Sequence, residues 1–306
     1  MTRWAPHPLT LRQLQYALAV AEHKSFRRAA EACAVAQPSL SAQVAELESA
    51  LGVRLFERRP RGVMITEAGA AILARAQRTL VDADDLVATA ERTRDPMSAT
   101  LRIGLIPTVA PYLLPEIAPI LRERHPRLSL LWVEDKTRVL LAQLAAGALD
   151  AAVVAAESDL GDVETEPLAR DAFVLALPPG HPLARASGPA RPEQLQGETV
   201  LLLDDGHCFR DQALAVCGRA GVAEASIRAT SLSTLAQMVA GGAGVTLLPS
   251  LAVETENRAR GLSIRAFGAR GPARTLCLAW RKTAPSAVAL RAVAATIRGV
   301  LAKLVR

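Results

Sequence analysis

The sequence predicts an all-α N-terminal part with a small hairpin and a long helix, followed by a larger α/β part. Three observations predict this. Apolar residues keep helical spacing up to about residue 93, short apolar runs alternate with helical stretches from Leu101 onward, and "RDPMSAT" reads as a hinge between the two patterns. The 306 residues suit two or three compact units, and half of them are hydrophobic, enough for cores without disulfide staples. Aromatic residues make up only 3%, so Leu, Val and Ala must do most of the packing.

In the first part, Leu11, Leu14, Leu18 and Ala21 fall on one face of a first helix. Ser25 is placed to cap a short amphipathic helix, "FRRAAEACAV". "AQPSLSAQVAELESALG" is the next helix. Pro38 suits its first turn, where a missing N–H costs little; Leu40, Val44, Leu47 and Leu51 supply a buried face, and Gly52 stops it. Pro60 and Gly62 then mark the turn of a hairpin carrying Arg58, Arg59 and Arg61. Thr66 opens a helix reaching about Thr93, on which Leu73, Ala76, Leu80, Ala83, Val87 and Ala90 form a heptad seam suited to pairing with another helix.

In the second part, "LRIGLI", "LSLLWVE" and "LDAAVVAA" read as strands separated by the helices "LLPEIAPILRERHP" and "TRVLLAQLAAGA". A further unit has strands near "AFVLALP", "TVLLL", "IRATS" and "VTLLP". "TLCLAWRK" and a terminal helix close the chain. Alternation of this kind implies an α/β architecture with a largely parallel sheet. The glycines of "AGGAGVTLLP" follow a helix and precede a strand, the reverse of a dinucleotide-binding loop, and read as a helix end.

Several classes are excluded. The N-terminus lacks the pattern of a signal peptide, and the most apolar window is broken by Gln143, Gly147 and Asp150, so neither secretion nor a membrane span is expected. The expected location is the cytoplasm. There, Cys208 and Cys217 signify packing, metal binding or redox chemistry, not a permanent staple.

Residues 1–65 hold nine basic and five acidic residues, a balance of +4 within the chain's net +6. A helix-turn-helix followed by an arginine-tipped hairpin is a winged DNA-binding arrangement. Gln37, Ser39, Ser41 and Gln43 on the second helix suit base edges and phosphates. Arg58, Arg59 and Arg61 suit phosphates or a narrow minor groove.

The segment from Phe26 to Gly69, "FRRAAEACAVAQPSLSAQVAELESALGVRLFERRPRGVMITEAG", resembles the N-terminal domain of LysR-type transcriptional regulators. The resemblance implies a winged helix-turn-helix over residues 1–65 and a dimerising linker helix over 66–94. It further implies an effector domain over 95–306, built from two Rossmann-like subdomains in the manner of type 2 periplasmic-binding proteins. Subdomain I would take about 100–171 and 275–306, and subdomain II about 172–274. The resemblance carries DNA contact onto Gln37, Pro38, Ser39, Ser41, Gln43 and Arg61. Two positions depart from it. Ala36 stands where a Ser or Thr cap is usual, a change of roughly 1 kcal/mol, and Ala42 where many members have a larger polar or basic residue.

The cysteine chemistry centres on "DDGHCFRDQALAVC". Cys208 precedes a helix start, with His207 and Arg210 beside it, a setting that favours a thiolate. Cys217 falls near the other end. Nine residues of α-helix rise roughly 13 Å, whereas a disulfide needs Cα atoms within about 7 Å. Joining the two would therefore unwind or move the segment and make oxidation a conformational switch. Against this stand simple core packing, which suits Cys33 and Cys277, and a zinc site, for which His207, Cys208 and Cys217 lack standard spacing and a fourth ligand. Thr108 and Thr137 are placed either to orient a small polar molecule or to cap helices. Arg274 is placed either to stabilise a thiolate or simply to be solvated.

"IGLIPTVAPYLLP", "DDGHCFRDQALAVC", "RATSLSTLAQMVAGGAGVTLLP" and "ARTLCLAWR" resemble the peroxide-sensing LysR-type regulators across nearly the whole chain. That resemblance implies Cys208 as peroxidatic cysteine, Cys217 as resolving cysteine, and Thr108, Thr137, His207 and Arg274 as the peroxide pocket. It implies no cofactor and no metal. The implied partners are double-stranded operator DNA, hydrogen peroxide as effector, a homo-oligomer dimerised by the linker helix and assembled as a tetramer, and RNA polymerase. The segment around Cys217 departs from the pattern of the group. Two other classes remain: a LysR-type regulator responding to a metabolite bound between the subdomains, and a cysteine hydrolase or thiol peroxidase, which leaves the first 93 residues unexplained.

Overall fold

The computed structural model describes residues 7–59, 62–92, 95, 97–218, 223–258 and 261–305. The chain divides into two compact units, Met1–Ala90 and Glu91–Arg306.

The first unit contains α1 (Leu11–His23), α2 (Phe26–Ala32), α3 (Gln37–Leu51), the hairpin strands β1 (Phe56–Arg59) and β2 (Gly62–Ile65), and most of α4 (Glu67–Arg92). Thr10 and Gln13 form a reciprocal cap on α1, and Ser25 caps α2. Ala36 leaves α3 without a side-chain cap, as its methyl group dictates, while Pro38 sits in the first turn and Gly52 ends the helix at φ 67°. The core joins Leu14, Ala17 and Val20 of α1 to Leu40, Val44 and Leu47 of α3. The buried face of α1 is thus rotated from the expected one: Leu11 is exposed, and Leu18 and Ala21 are half-buried. Thr66 caps α4 through the Gly69 N–H, 2.8 Å from its Oγ1. Leu73 and Ala76 pack into this core, whereas Leu86 and Val87 further along α4 are 72% and 58% exposed. Cys33 is half-buried just past the end of α2, less enclosed than a core cysteine.

The second unit runs β3 (Thr100–Leu105), α5 (Ala110–Arg124), β4 (Ser129–Glu134), α6 (Thr137–Ala145), β5 (Ala151–Ala155), β6 (Val163–Leu177), β7 (Thr199–Leu203), α7 (Cys208–Cys217), β8 (Ala223–Ala229), α8 (Leu232–Ala240), β9 (Thr246–Pro249), α9 (Ser250–Asn257), β10 (Ser263–Ala266), β11 (Ala273–Arg281) and α10 (Ala287–Leu304). Strand order in the main sheet is β10-β6-β11-β5-β3-β4, with β9 also on β6, and β7 pairs β8 separately.

This sheet is mixed, not largely parallel. β3 pairs β4 and β5 in parallel, but β11 runs antiparallel to both β5 and β6, and β6 is antiparallel to β9 and β10. The cause is the long β6. Its first half pairs β11 (Val163–Ala172) and its second half pairs β9 and β10 (Phe173–Leu177), so one strand serves two sets of partners. Only the second half was expected as strand. The first half, "VETEPLARD", is charged because its outer face meets α10: Glu164 pairs with Arg291 and Glu166 with Arg298. β10 was not expected either; four residues with a central arginine carry too weak a period.

Candidate functional site

The loop after β3, the start of α6 and the start of α7 converge on a small cavity lined by Ile106, Pro107, Thr108, Lys136, Thr137, His207 and Cys208. The centre of a water-sized molecule has about 10 Å³ there, close to the least space that admits one water. Four residues singled out from sequence, Thr108, Thr137, His207 and Cys208, are therefore together. On its other side Cys208 lines an open groove with Lys136, Asp205 and Asp211, so the half-buried thiol stands between cavity and solvent.

Neither threonine is a helix cap. Val109, not Thr108, precedes α5, and Lys136 precedes α6. Thr108 is 3% exposed, and its Oγ1 accepts from Arg274 Nη1 at 2.6 Å while its carbonyl accepts from Nη2 at 3.0 Å. Thr137 Oγ1 is buried without a hydrogen-bond partner among the described residues. A buried hydroxyl in that condition costs free energy unless something else bonds to it, and this one borders the cavity.

Arg274 does not line the cavity; it stands behind Thr108. It is fully buried, not solvated; its Nε donates to Asp171 Oδ2 at 3.0 Å, and Nη2 lies 2.9 Å from the same oxygen. Its guanidinium also lies 5.6 Å from the ring centroid of Phe209, the second residue of α7. Asp171 is equally buried, and its Oδ1 accepts from Ser250 Oγ and the Leu251 N–H at the start of α9. The pair thus ties β6, β11, α9 and the Thr108 loop together at the point where β6 changes partners.

His207 precedes α7 without capping it, and the imidazole is 6% exposed. Burial and the Lys136 charge hold its pKa below the ordinary histidine value, against an opposing pull from Asp204. His207 is therefore neutral at neutral pH and keeps one ring nitrogen as an acceptor. Lys136 Nζ donates to the Asp205 carbonyl at 2.7 Å, joining the start of α6 to the loop before α7. Arg210, expected to sit beside the Cys208 thiol, turns to the Leu203 carbonyl and Asp205 instead. Cys217 closes α7, is fully buried, and burial pushes its pKa up to about 11. Cys277, in β11, is also buried core and is pushed up to about 11. All four cysteines are free thiols.

In the first unit Gln37, Pro38 and Ser39 are exposed at the start of α3, and Ser41 and Gln43 are half-buried one turn on. Arg59 is exposed on β1, 3.7 Å from Glu57. Arg58 lies on the same strand, and Arg61 falls outside the described residues. Among the described residues no group of His, Cys, Asp and Glu has the arrangement of a metal site.

Reasoning from sequence missed two residues of the site. Lys136 adjoins Thr137 in "EDKTRVLL", and its place at a strand-to-helix turn was the available signal. Asp171 was signalled only by a charge opening the apolar run "AFVLAL".

A helix-turn-helix unit with a basic hairpin, followed by an α/β unit enclosing a polar cavity, defines a DNA-binding regulator that carries its own sensory domain. Comparison with known proteins makes this specific. Residues 11–70 match the bacterial regulatory helix-turn-helix proteins of the lysR family, residues 94–302 match the LysR substrate binding domain, and the chain belongs to the LysR family. It is 44% identical to the hydrogen peroxide-inducible genes activator of Dickeya chrysanthemi over 278 residues, 90% of this chain and 91% of that one. It resembles full-length OxyR from Pseudomonas aeruginosa with a TM-score of 0.77 and 37% identity, covering 96% of each chain. It also resembles a hydrogen peroxide-bound OxyR mutant from Corynebacterium glutamicum with a TM-score of 0.66 and 34% identity, covering 98% of this chain and 94% of that one. The family is one of transcription regulators, not enzymes, which sets aside the hydrolase and peroxidase readings.

Proposed function

We propose that this protein is a transcription regulator that senses hydrogen peroxide through a reversible Cys208–Cys217 disulfide and controls oxidative-stress genes. The observation that carries the proposal is the meeting of Thr108, Thr137, His207 and Cys208 around one small cavity at the head of a helix whose last residue is Cys217. The cavity has about the space of one water and is too small for an organic metabolite. Relatives with peroxide in their names point the same way.

In the proposed reaction, the Cys208 thiolate attacks one peroxide oxygen and the O–O bond breaks. The departing hydroxide takes a proton and leaves as water, and Cys208 becomes a sulfenic acid. Thr137 Oγ1 and His207 supply hydrogen bonds to the peroxide, and Thr108, held by Arg274, supplies another. Cys217 sulfur then attacks Cys208 sulfur, its proton leaving with the hydroxyl as a second water. The nine-position rise of α-helix from Cys208 to Cys217 prevents this without unwinding α7. Unwinding also removes the burial that keeps Cys217 protonated.

Residues 1–65 bind double-stranded operator DNA through Gln37, Pro38, Ser39, Ser41 and Gln43 on α3 and through Arg58, Arg59 and Arg61 on the hairpin. The uncapped first turn of α3 is available to a phosphate. Residues 66–94 dimerise the protein, a role supported by the exposure of Leu86 and Val87. Residues 95–306 form the sensory domain, and dimers assemble as tetramers that engage RNA polymerase in the cytoplasm. Operator footprinting with reduced, oxidised and Cys208→Ser protein tests the proposal. A footprint that changes on oxidation in the wild type and stays fixed in the variant is the expected result.

A further inference from the structure

The DNA-binding unit carries a side-chain relay that the redox site does not involve. Glu46 lies on α3 one turn after Gln43, and its Oε2 accepts from Gln43 Nε2 at 2.9 Å. The same oxygen accepts from Gln13 Nε2 at 3.3 Å. Gln13 is 7% exposed, and its own Oε1 accepts from the Thr10 N–H at 2.9 Å in the reciprocal cap of α1. The chemistry of these groups fixes every amide. The Thr10 N–H only donates, so it selects the Gln13 oxygen and turns the Gln13 NH₂ toward α3. A carboxylate only accepts, so Glu46 selects the NH₂ of both glutamines. Gln43 consequently keeps its Oε1 and one N–H uncommitted among the described residues.

We infer that Glu46 is a specificity-determining positioning residue: it locks the Gln43 amide so that an acceptor and one donor face the DNA. This rests on the assignment of α3 as the helix that enters the major groove. An amide presented this way matches adenine, which offers N6–H to the oxygen and N7 to the remaining N–H. It makes one bond to cytosine N4–H. Guanine O6 and thymine O4 meet the Gln43 oxygen with like partial charge, and the lock prevents the amide from flipping to suit them. Gln43 therefore favours adenine by roughly tenfold over guanine at the base it reads. Without Glu46 the amide rotates freely and the preference at that one position falls to about twofold or less.

The test uses reduced, full-length protein and a pool of double-stranded oligonucleotides randomised across the operator, with the wild type, Glu46→Ala, Glu46→Gln and Gln43→Ala. Glu46→Ala removes both the acceptor and the charge; Glu46→Gln removes only the charge, because its amide oxygen still accepts from Gln43. Both Glu46 variants are expected to bind all sequences somewhat more tightly, since one carboxylate no longer faces the phosphates. Only Glu46→Ala and Gln43→Ala are expected to lose the preference at a shared base pair. Retention of that preference in Glu46→Ala overturns the inference, and its loss in Glu46→Gln makes charge the cause and overturns it equally. If Gln43→Ala leaves every position unchanged, the placement of Gln43 at the DNA fails, and the relay has nothing to orient.

Discussion

The two walls of the Cys208 cavity are built to different standards. On the Thr108 wall the polar groups are satisfied: Arg274 and Asp171 are fully buried, bonded to each other, and anchored to Thr108, Ser250 and Leu251. The α7 wall is anchored by packing, with Phe209 edge-on to Phe173 and Arg210 on the Leu203 carbonyl and Asp205, but its polar groups are less complete. His207 gives no side-chain cap, Gln212 Oε1 is buried without a partner among the described residues, and the helix is only ten residues long. Short helices are marginal without tertiary support. The contrast teaches how a molecule as small as peroxide can produce a large response. In the proposed mechanism one wall keeps the reacting atoms in register while the other rearranges when a bond joins its two ends.

The largest effect is expected from Cys208→Ser, which should abolish disulfide formation completely while leaving the reduced fold intact, as read by thiol trapping and circular dichroism. Next is Arg274→Ala, which strands the buried Asp171 carboxylate and should destabilise the protein by about 3–5 kcal/mol in denaturant titration. A loss below about 1 kcal/mol would mean that the Thr108 wall is not the rigid one.

A third effect comes from Cys217. Its thiol ionises at about 11 when folded, against 9.0 for the ordinary thiol, so the unfolded chain releases this proton first as pH rises. Stability should therefore be complete below pH 9 and fall between pH 9 and 11, by on the order of 2–3 kcal/mol from this thiol. Cys217→Ala should remove that part of the decline in pH-dependent unfolding curves. The smallest effect on stability is expected from Thr137→Val, which replaces an unpartnered buried hydroxyl by a methyl group and should change unfolding free energy by less than about 1 kcal/mol. The same variant should slow sulfenic acid formation about tenfold, the value of one hydrogen bond to the reacting peroxide. Equal loss of stability and rate would show that the hydroxyl serves the fold instead.

The sequence made much of this legible, and physical reasons explain the rest. Helix caps at Ser25 and Thr66, the stop at Gly52 and the hairpin at Pro60–Gly62 are local signals, and where the structure describes these residues it follows them. The placement of the α7 cysteines at opposite helix ends was also local, a matter of counting along one helix. What failed depended on partners distant in sequence. The direction of β11 and the double use of β6 arise from pairings across 70 or more residues, which no local period records. The same holds for Arg274. Its burial comes from Asp171, 103 positions away, and from Thr108, 166 positions away, so from sequence it was equally compatible with a solvated surface. Arg210 shows the reverse error, since adjacency to Cys208 suggested contact while the helix turns its side chain toward Asp205.

The central claim is that one oxidant event at Cys208 closes a bond across an unwound α7. Thiol-trapping mass spectrometry on the reduced, folded, full-length protein after a stoichiometric peroxide pulse tests it most directly. Cys208 and Cys217 should disappear together from the free-thiol pool and be recovered in one disulfide-linked peptide, with Cys33 and Cys277 still free. Recovery of Cys208 as a free thiol, in protein that remains folded and competent to bind DNA, would contradict the account.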